Sequence, residues 1–187
     1  MTEPAARLFE ARADPAPDAH PPKPGSERSL AAGPLHWIAL LAVALAAVAA
    51  DQVTKAIVVS KLALGESVHV IGPLSIHHVV NTGVAFGLFS TRATAVTILT
   101  AAAVAWMLVY FARSGARHPI LPVALGLLVG GSVSNLVDRL RLGHVTDFLD
   151  FRYWPAFNLA DSFIVIGVGI LLASVIVAER DPRGSKG

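Results

Sequence analysis

Long apolar runs broken by short polar segments set the layout of this chain. Leu35–Ala50 is apolar except for His36, and a helical pattern continues through Asp51-Gln-Val-Thr-Lys55 to Val59. This predicts a helix over Pro34–Val59, longer than the roughly 20 residues needed to cross a bilayer. Further apolar runs predict helices over 93–112, 119–137 and 160–178. The second ends in a predicted aromatic belt of Trp106, Tyr110 and Phe111. The third carries Gly126-Leu-Leu-Val-Gly130, a small-xxx-small spacing that lets helices approach closely. Between residues 60 and 92 the period changes. Val68, Val70 and Ile76 alternate with polar neighbours, and Gly65, Gly72-Pro73 and Asn81-Thr-Gly83 supply turns. Two to four short strands are expected there, at the membrane surface, because open sheet edges are not tolerated in hydrocarbon.

The predicted fold is therefore an all-α polytopic membrane protein of four transmembrane helices. A small β-rich platform lies between helices 1 and 2, and 34–178 form a single membrane domain. Residues 1–33 hold six of the twelve prolines and no apolar period, which reads as a disordered polar tail. Residues 179–187 form a short charged tail. Ala47-Val48-Ala49 also resembles a signal cleavage site. The long, mixed-sign segment before it and the continuing helix after it favour a retained span. Nine of the fifteen lysines and arginines fall in the N-terminal tail, the 113–118 loop and the C-terminus. That bias places both termini in the cytoplasm and the 138–158 segment outside.

Composition narrows the chemistry. The chain of 187 residues is 54% hydrophobic and 15% charged, with net charge +2. It has no basic block with interleaved aromatics, so nucleic acid is a poor partner. Without cysteine, a thiol nucleophile and Cys-ligated metals are excluded. His69, His77 and His78 invite a metal reading, but adjacent strand residues face opposite ways. There is no H-E-x-x-H and no G-x-S-x-G. Ser132, Ser134 and Ser162 lie near acids, with His144 the one nearby base.

What remains is carboxylate chemistry. Asp138, Asp147, Asp150 and Asp161 lie around the mouths of two membrane-length helices, and acids beside hydrocarbon point to function. Gly131, Asn135 and Asp138 share a helix face. Asp138 is expected to be tied to Arg139 or to groups on neighbouring helices. Asp51 and Lys55 have the spacing of a helical ion pair, either an interfacial pair or a brace for the site. Asn158 and Asp161 have capping-box spacing, which would by itself explain Asp161. Phe148, Phe151, Tyr153, Trp154 and Phe157 are expected to pack the Asp147 loop onto the interface. Two carboxyls brought together in a desolvated place share one proton, giving a general base for water and a general acid for a leaving group. The helix N-terminus favours the charged form of Asp161, leaving Asp147 as proton holder. The main rival is a small proton-coupled transporter using these acids as a relay, and a third reading is a membrane scaffold.

Asp51-Gln-Val-Thr-Lys55, Asn81-Thr-Gly-Val-Ala-Phe86, Asn135-Leu-Val-Asp138-Arg139, Gly143-His-Val-Thr-Asp147-Phe148 and Phe157-Asn-Leu-Ala-Asp161-Ser162 occur in that order. Together they resemble the motifs of lipoprotein signal peptidase (signal peptidase II), over about 35–178. The resemblance implies an aspartic endopeptidase of the bacterial cytoplasmic membrane. It would cut the signal peptide from a prolipoprotein just before a diacylglyceryl-modified cysteine, without cofactor. It assigns the catalytic pair to Asp147 and Asp161. Asp51, Lys55, Asn81, Asn135, Asp138, Arg139 and Asn158 would support the site or bind substrate, and Phe86 with the 60–92 sheet would cover it. Implied partners are the lipidated substrate, membrane lipid and the cyclic peptide inhibitor globomycin. Ser134 departs from the family's usual glycine, with a consequence expected in helix packing, and Thr146 from its usual valine.

Overall fold

The computed structural model describes residues 30–82, 91–115 and 118–180, with the side chains of 91–93 and 178–180 left out. Phe86, Gly83 and most of both tails lie outside the described residues. Four helices run Pro34–Lys61 (α1), Thr91–Ser114 (α2), Leu121–Leu142 (α3) and Leu159–Arg180 (α4). All four include a stretch long and apolar enough to cross a membrane. Pro34 and Pro122 sit in first turns, where a missing N–H costs nothing. α3 extends past the expected Val137 because Asp138-Arg-Leu-Arg-Leu142 keeps helical spacing beyond the apolar run.

α3 is the centre of the bundle. Two-thirds of its apolar window (67%) is buried, against 22%, 6% and 11% for α1, α2 and α4. It packs on all three of the others. Leu121, Leu125 and Leu128 form the core with Leu40 of α1 and Phe111 of α2. Small residues make the approach possible. A Cβ at Gly130 would come within 2.6 Å of the Ala44 carbonyl oxygen of α1, and one at Gly131 would collide with the Ala160 carbonyl of α4. The outward faces of α1, α2 and α4 expose Leu45, Ile98, Leu99 and Val165, as lipid-facing helices do.

Two expectations are corrected. Phe111 belongs to no interfacial belt: it is fully buried, edge-on to Trp37 with centroids 4.9 Å apart. Trp106 and Tyr110, four apart, share an outward face and stack, while Phe111 is turned about 100° from Tyr110. The β platform, moreover, is not confined to the connection between α1 and α2. Strands Ser67–Ile71 (β1) and Leu74–Asn81 (β2) pair antiparallel, and β2 pairs with Val145–Phe151 (β3), which pairs with Trp154–Phe157 (β4). The second half thus comes from the α3–α4 connection. Its Val, Thr, Phe and Trp residues favour strand, and β3 satisfies the edge of β2 that β1 leaves open. Of the aromatics there, Phe148 is buried and Phe151 stacks on Phe157 at 5.9 Å. Tyr153 and Trp154 stand exposed at the β3–β4 turn.

Candidate active site

The first turn of α4 fixes one carboxyl. Asn158 precedes the helix, and its Oδ1 accepts the Asp161 N–H at 3.0 Å while the Asn158 N–H points back to Asp161 Oδ2 at 3.4 Å. This is a reciprocal capping box. Asp161 therefore has the structural role its spacing predicts. Its other oxygen, Oδ1, is free of the cap and accepts Asn135 Nδ2 at 2.8 Å.

The sheet supplies the second carboxyl. β2 and β3 pair with Val79 opposite Asp147 and Asn81 opposite Val145. Asn81 Nδ2 donates to Asp147 Oδ2 at 2.8 Å, and Asn158 Nδ2 donates to Oδ1 at 2.7 Å. Asp147 is only 2% exposed. Burial raises its pKa from the ordinary 3.8 to about 6, helped by the negative charge of Asp161 and opposed by the Asn81 and Asn158 hydrogen bonds and the Lys55 charge.

Helices α1 and α3 hold the pair from below. Asn135 Oδ1 accepts from Lys55 Nζ and from Asn158 Nδ2, both at 3.1 Å, which turns its NH₂ group to Asp161. Lys55 is 4% exposed and also bridges Asp51 and Asp138, each at 2.7 Å. The Asp51–Lys55 pair is thus buried rather than interfacial, and it braces the site. Asp138 is tied to α1, through Lys55 and a 2.8 Å bond from Gln52. Its sequence neighbour Arg139 donates to the Asn135 carbonyl instead, at 3.4 Å.

The structure accordingly gathers Asp51, Lys55, Asn135, Asp138, Asp147 and Asn158 into one buried polar network that the half-buried Asn81 and Asp161 complete, with Arg139 on its margin. Two members escaped the sequence reading as site residues. Gln52 Nε2 reaches Asp138 and, at 3.0 Å, the Ser134 hydroxyl; Ser134 is fully buried and donates to Asp51 Oδ2 at 2.7 Å. The available signal was position: Gln52 follows Asp51, and Ser134 lies four residues before Asp138. The serine reading loses its geometry. Ser134 donates to Asp51 and Ser162 to the Asn158 carbonyl, and neither bonds His144 among the described residues. His77 and His78 have separate partners, Asp150 at 2.8 Å and the Leu62 carbonyl at 3.0 Å.

Next to Asp161 a cavity of about 540 Å³ is lined by Trp154, Phe157, Ser162, Val165 and Ile166. Its walls are almost entirely hydrocarbon. It opens along the outer face of α4, so an apolar chain lying in it would present its polar end to Asp161.

Known proteins resemble the chain in sequence and in fold. A family model described as Signal peptidase (SPase) II matches residues 43–177, a span that contains all five motifs. The chain is 41% identical over 145 residues to the "Lipoprotein signal peptidase" of Symbiobacterium thermophilum, covering 75% of this chain and 95% of that relative. It is 42% identical over 137 residues to the protein of the same name from Pelotomaculum thermopropionicum, covering 73% and 90%. A solved bacterial membrane enzyme aligns with TM-score 0.71 at 29% identity, over 79% of this chain and 93% of its own.

Proposed function

The chain belongs to the signal peptidase II family, and from that premise we propose that it removes signal peptides from prolipoproteins as an aspartic endopeptidase using Asp147 and Asp161. It is a multi-pass membrane protein. Its place is the bacterial cytoplasmic membrane, with termini inside and the site at the extracytoplasmic face. The substrate's diacylglyceryl chains fit the apolar cavity beside Asp161, which brings the peptide bond before the lipidated cysteine to the carboxyls.

One observation carries this reading: the bonded amides Asn135 and Asn158 each hold one of the two carboxyls, so Asp147 and Asp161 share a single support. Asp161, with an oxygen outside the cap and beside the cavity, takes a proton from the attacking water. Asp147, buried and with a raised pKa, delivers its proton to the departing amine nitrogen. The new C–O bond and the broken C–N bond then balance, and the proton taken up by Asp161 passes back to restore the pair. The β1–β2 hairpin covers the bound substrate.

The test uses purified protein and a diacylated precursor. The wild-type chain cuts it and globomycin blocks the cut, while Asp147→Asn and Asp161→Asn each insert normally but lose activity by about a thousandfold. Either variant cutting at the wild-type rate would remove the aspartic mechanism.

A further inference from the structure

The mechanism gives no step to two buried carboxylates, Asp51 and Asp138, and the first reaches furthest across the bundle. Asp51 lies in α1, is fully buried, and does not line the cavity. Its partners are unlike those of Asp138. Oδ2 takes Lys55 at 2.7 Å and the Ser134 hydroxyl at 2.7 Å. Oδ1 crosses to another helix and accepts the backbone N–H of Ala160 at 3.0 Å.

Ala160 is the second residue of α4, and its N–H is one of the donors that no helix can satisfy internally. Asn158 caps the Asp161 N–H, and the next donor back is met from α1. The approach is close on the other side too, where Gly131 of α3 leaves room for the Ala160 carbonyl. Ala160, the residue whose carbonyl forms the peptide bond to Asp161, is thereby held between two helices. Among carboxylate–backbone bonds, those to a helix N-terminus with charge-assisted geometry are strong. Ser134 and Lys55 fix the plane of Asp51 so that Oδ1 faces Ala160, and Gln52, donating to Ser134 Oγ, leaves the hydroxyl proton for Asp51.

From this arrangement we infer that Asp51 is a tertiary cap of α4, a positioning residue that sets Asp161 through the Ala160 backbone, with the Ser134 hydroxyl as the part that aims it. The inference rests on the aspartic mechanism proposed above and assigns Asp51 a role distinct from charge balance for Lys55. Asp51 has no contact with substrate in this role. Losing it loosens the first turn of α4 and with it the register of Asp161 against Asn135 and Asn158, so turnover falls while substrate affinity holds.

The experiment compares wild type, Ser134→Ala, Asp51→Ala and Asp161→Asn as purified full chains, measuring kcat, KM and amide exchange of the peptide spanning 158–162. The expected order of kcat is wild type, Ser134→Ala lower by about threefold, Asp51→Ala lower by about a hundredfold. KM stays within about twofold, and exchange at the α4 start speeds up in the same order. An Asp51→Ala chain that does not fold leaves Ser134→Ala to decide, since that change removes one oxygen and adds no bulk. Wild-type kcat in Ser134→Ala, or a loss of kcat with exchange at 158–162 unmoved, overturns the inference. Full activity in Asp161→Asn would instead bring down the underlying mechanism, whatever the other variants do.

Discussion

At the scale of single residues, Asp147 shows how burial becomes chemistry. Its folded pKa of about 6 lies above the ordinary 3.8, so the folded state holds this proton more tightly than the unfolded chain. The stabilisation this gives is full below about pH 4 and is lost as pH rises through 6, a swing of about 3 kcal/mol. Asp147→Asn cannot titrate. Its thermal midpoint relative to wild type is therefore expected to rise between pH 4 and pH 7 by several degrees, whatever the fixed cost of altering the bonds from Asn81 and Asn158. A midpoint difference that is flat with pH would show that Asp147 is not the buried, proton-holding member. With the monoprotonated pair as the working form, kcat/KM should also decline as pH rises through the pair's upper apparent pKa, near 6. The acids, Lys55, Asn135 and Asn158 were legible in the sequence because polar groups next to apolar runs need partners, whereas Asn81 read as a turn residue and entered the site only through the family resemblance. Gln52 and Ser134 were not, because position beside Asp51 and four residues before Asp138 is only a hint, and their role depends on which helix faces they share.

Among the elements, α3 and the sheet decide where the carboxyls stand. α3 carries Asn135 and lies against α1 and α4 at once, an approach that Gly130 and Gly131, about 100° apart around the helix, make possible. Gly131 is the sensitive point, since an added methyl meets the Ala160 carbonyl at the start of α4. We expect Gly131→Ala to lower stability by about 1–3 kcal/mol as the backbones are pushed apart. Activity should fall further than stability accounts for, because Ala160 adjoins Asp161. Thermal unfolding and kcat measured on the same preparation check this, and unchanged values in both would mean the contact relaxes freely. The four helices were predictable from apolar runs, and the Gly126–Gly130 spacing pointed to close packing, which α1 provides. The second half of the sheet was not foreseen. Val145–Phe157 has strand-forming residues, but its aromatics suggested a loop packed on the interface. Pairing of β2 with β3 is a contact between residues about seventy positions apart, such as Val79 with Asp147, and local pattern does not encode it.

For the molecule as a whole, the site's usefulness depends on which side of the membrane it faces, and the charge bias supplies the expectation. Lysine and arginine concentrate at the two ends of the chain and in the 113–118 loop, a bias that predicts a cytoplasmic place for those segments. With four spans, that prediction puts the β sheet, Asp147 and the start of α4 at the outer face. The chain lacks cysteine altogether, so a single introduced thiol reports on one position without background. Tyr153, 88% exposed at the β3–β4 turn, marks the end of the bundle that holds the carboxyls. Ala31, exposed just before α1, marks the other end. In intact spheroplasts a membrane-impermeant maleimide should label Tyr153→Cys and spare Ala31→Cys, and permeabilisation should expose the second. The reverse pattern would put the carboxyls in the cytoplasm, where an exported precursor's cleavage site does not emerge, and the proposed substrate would then be out of reach.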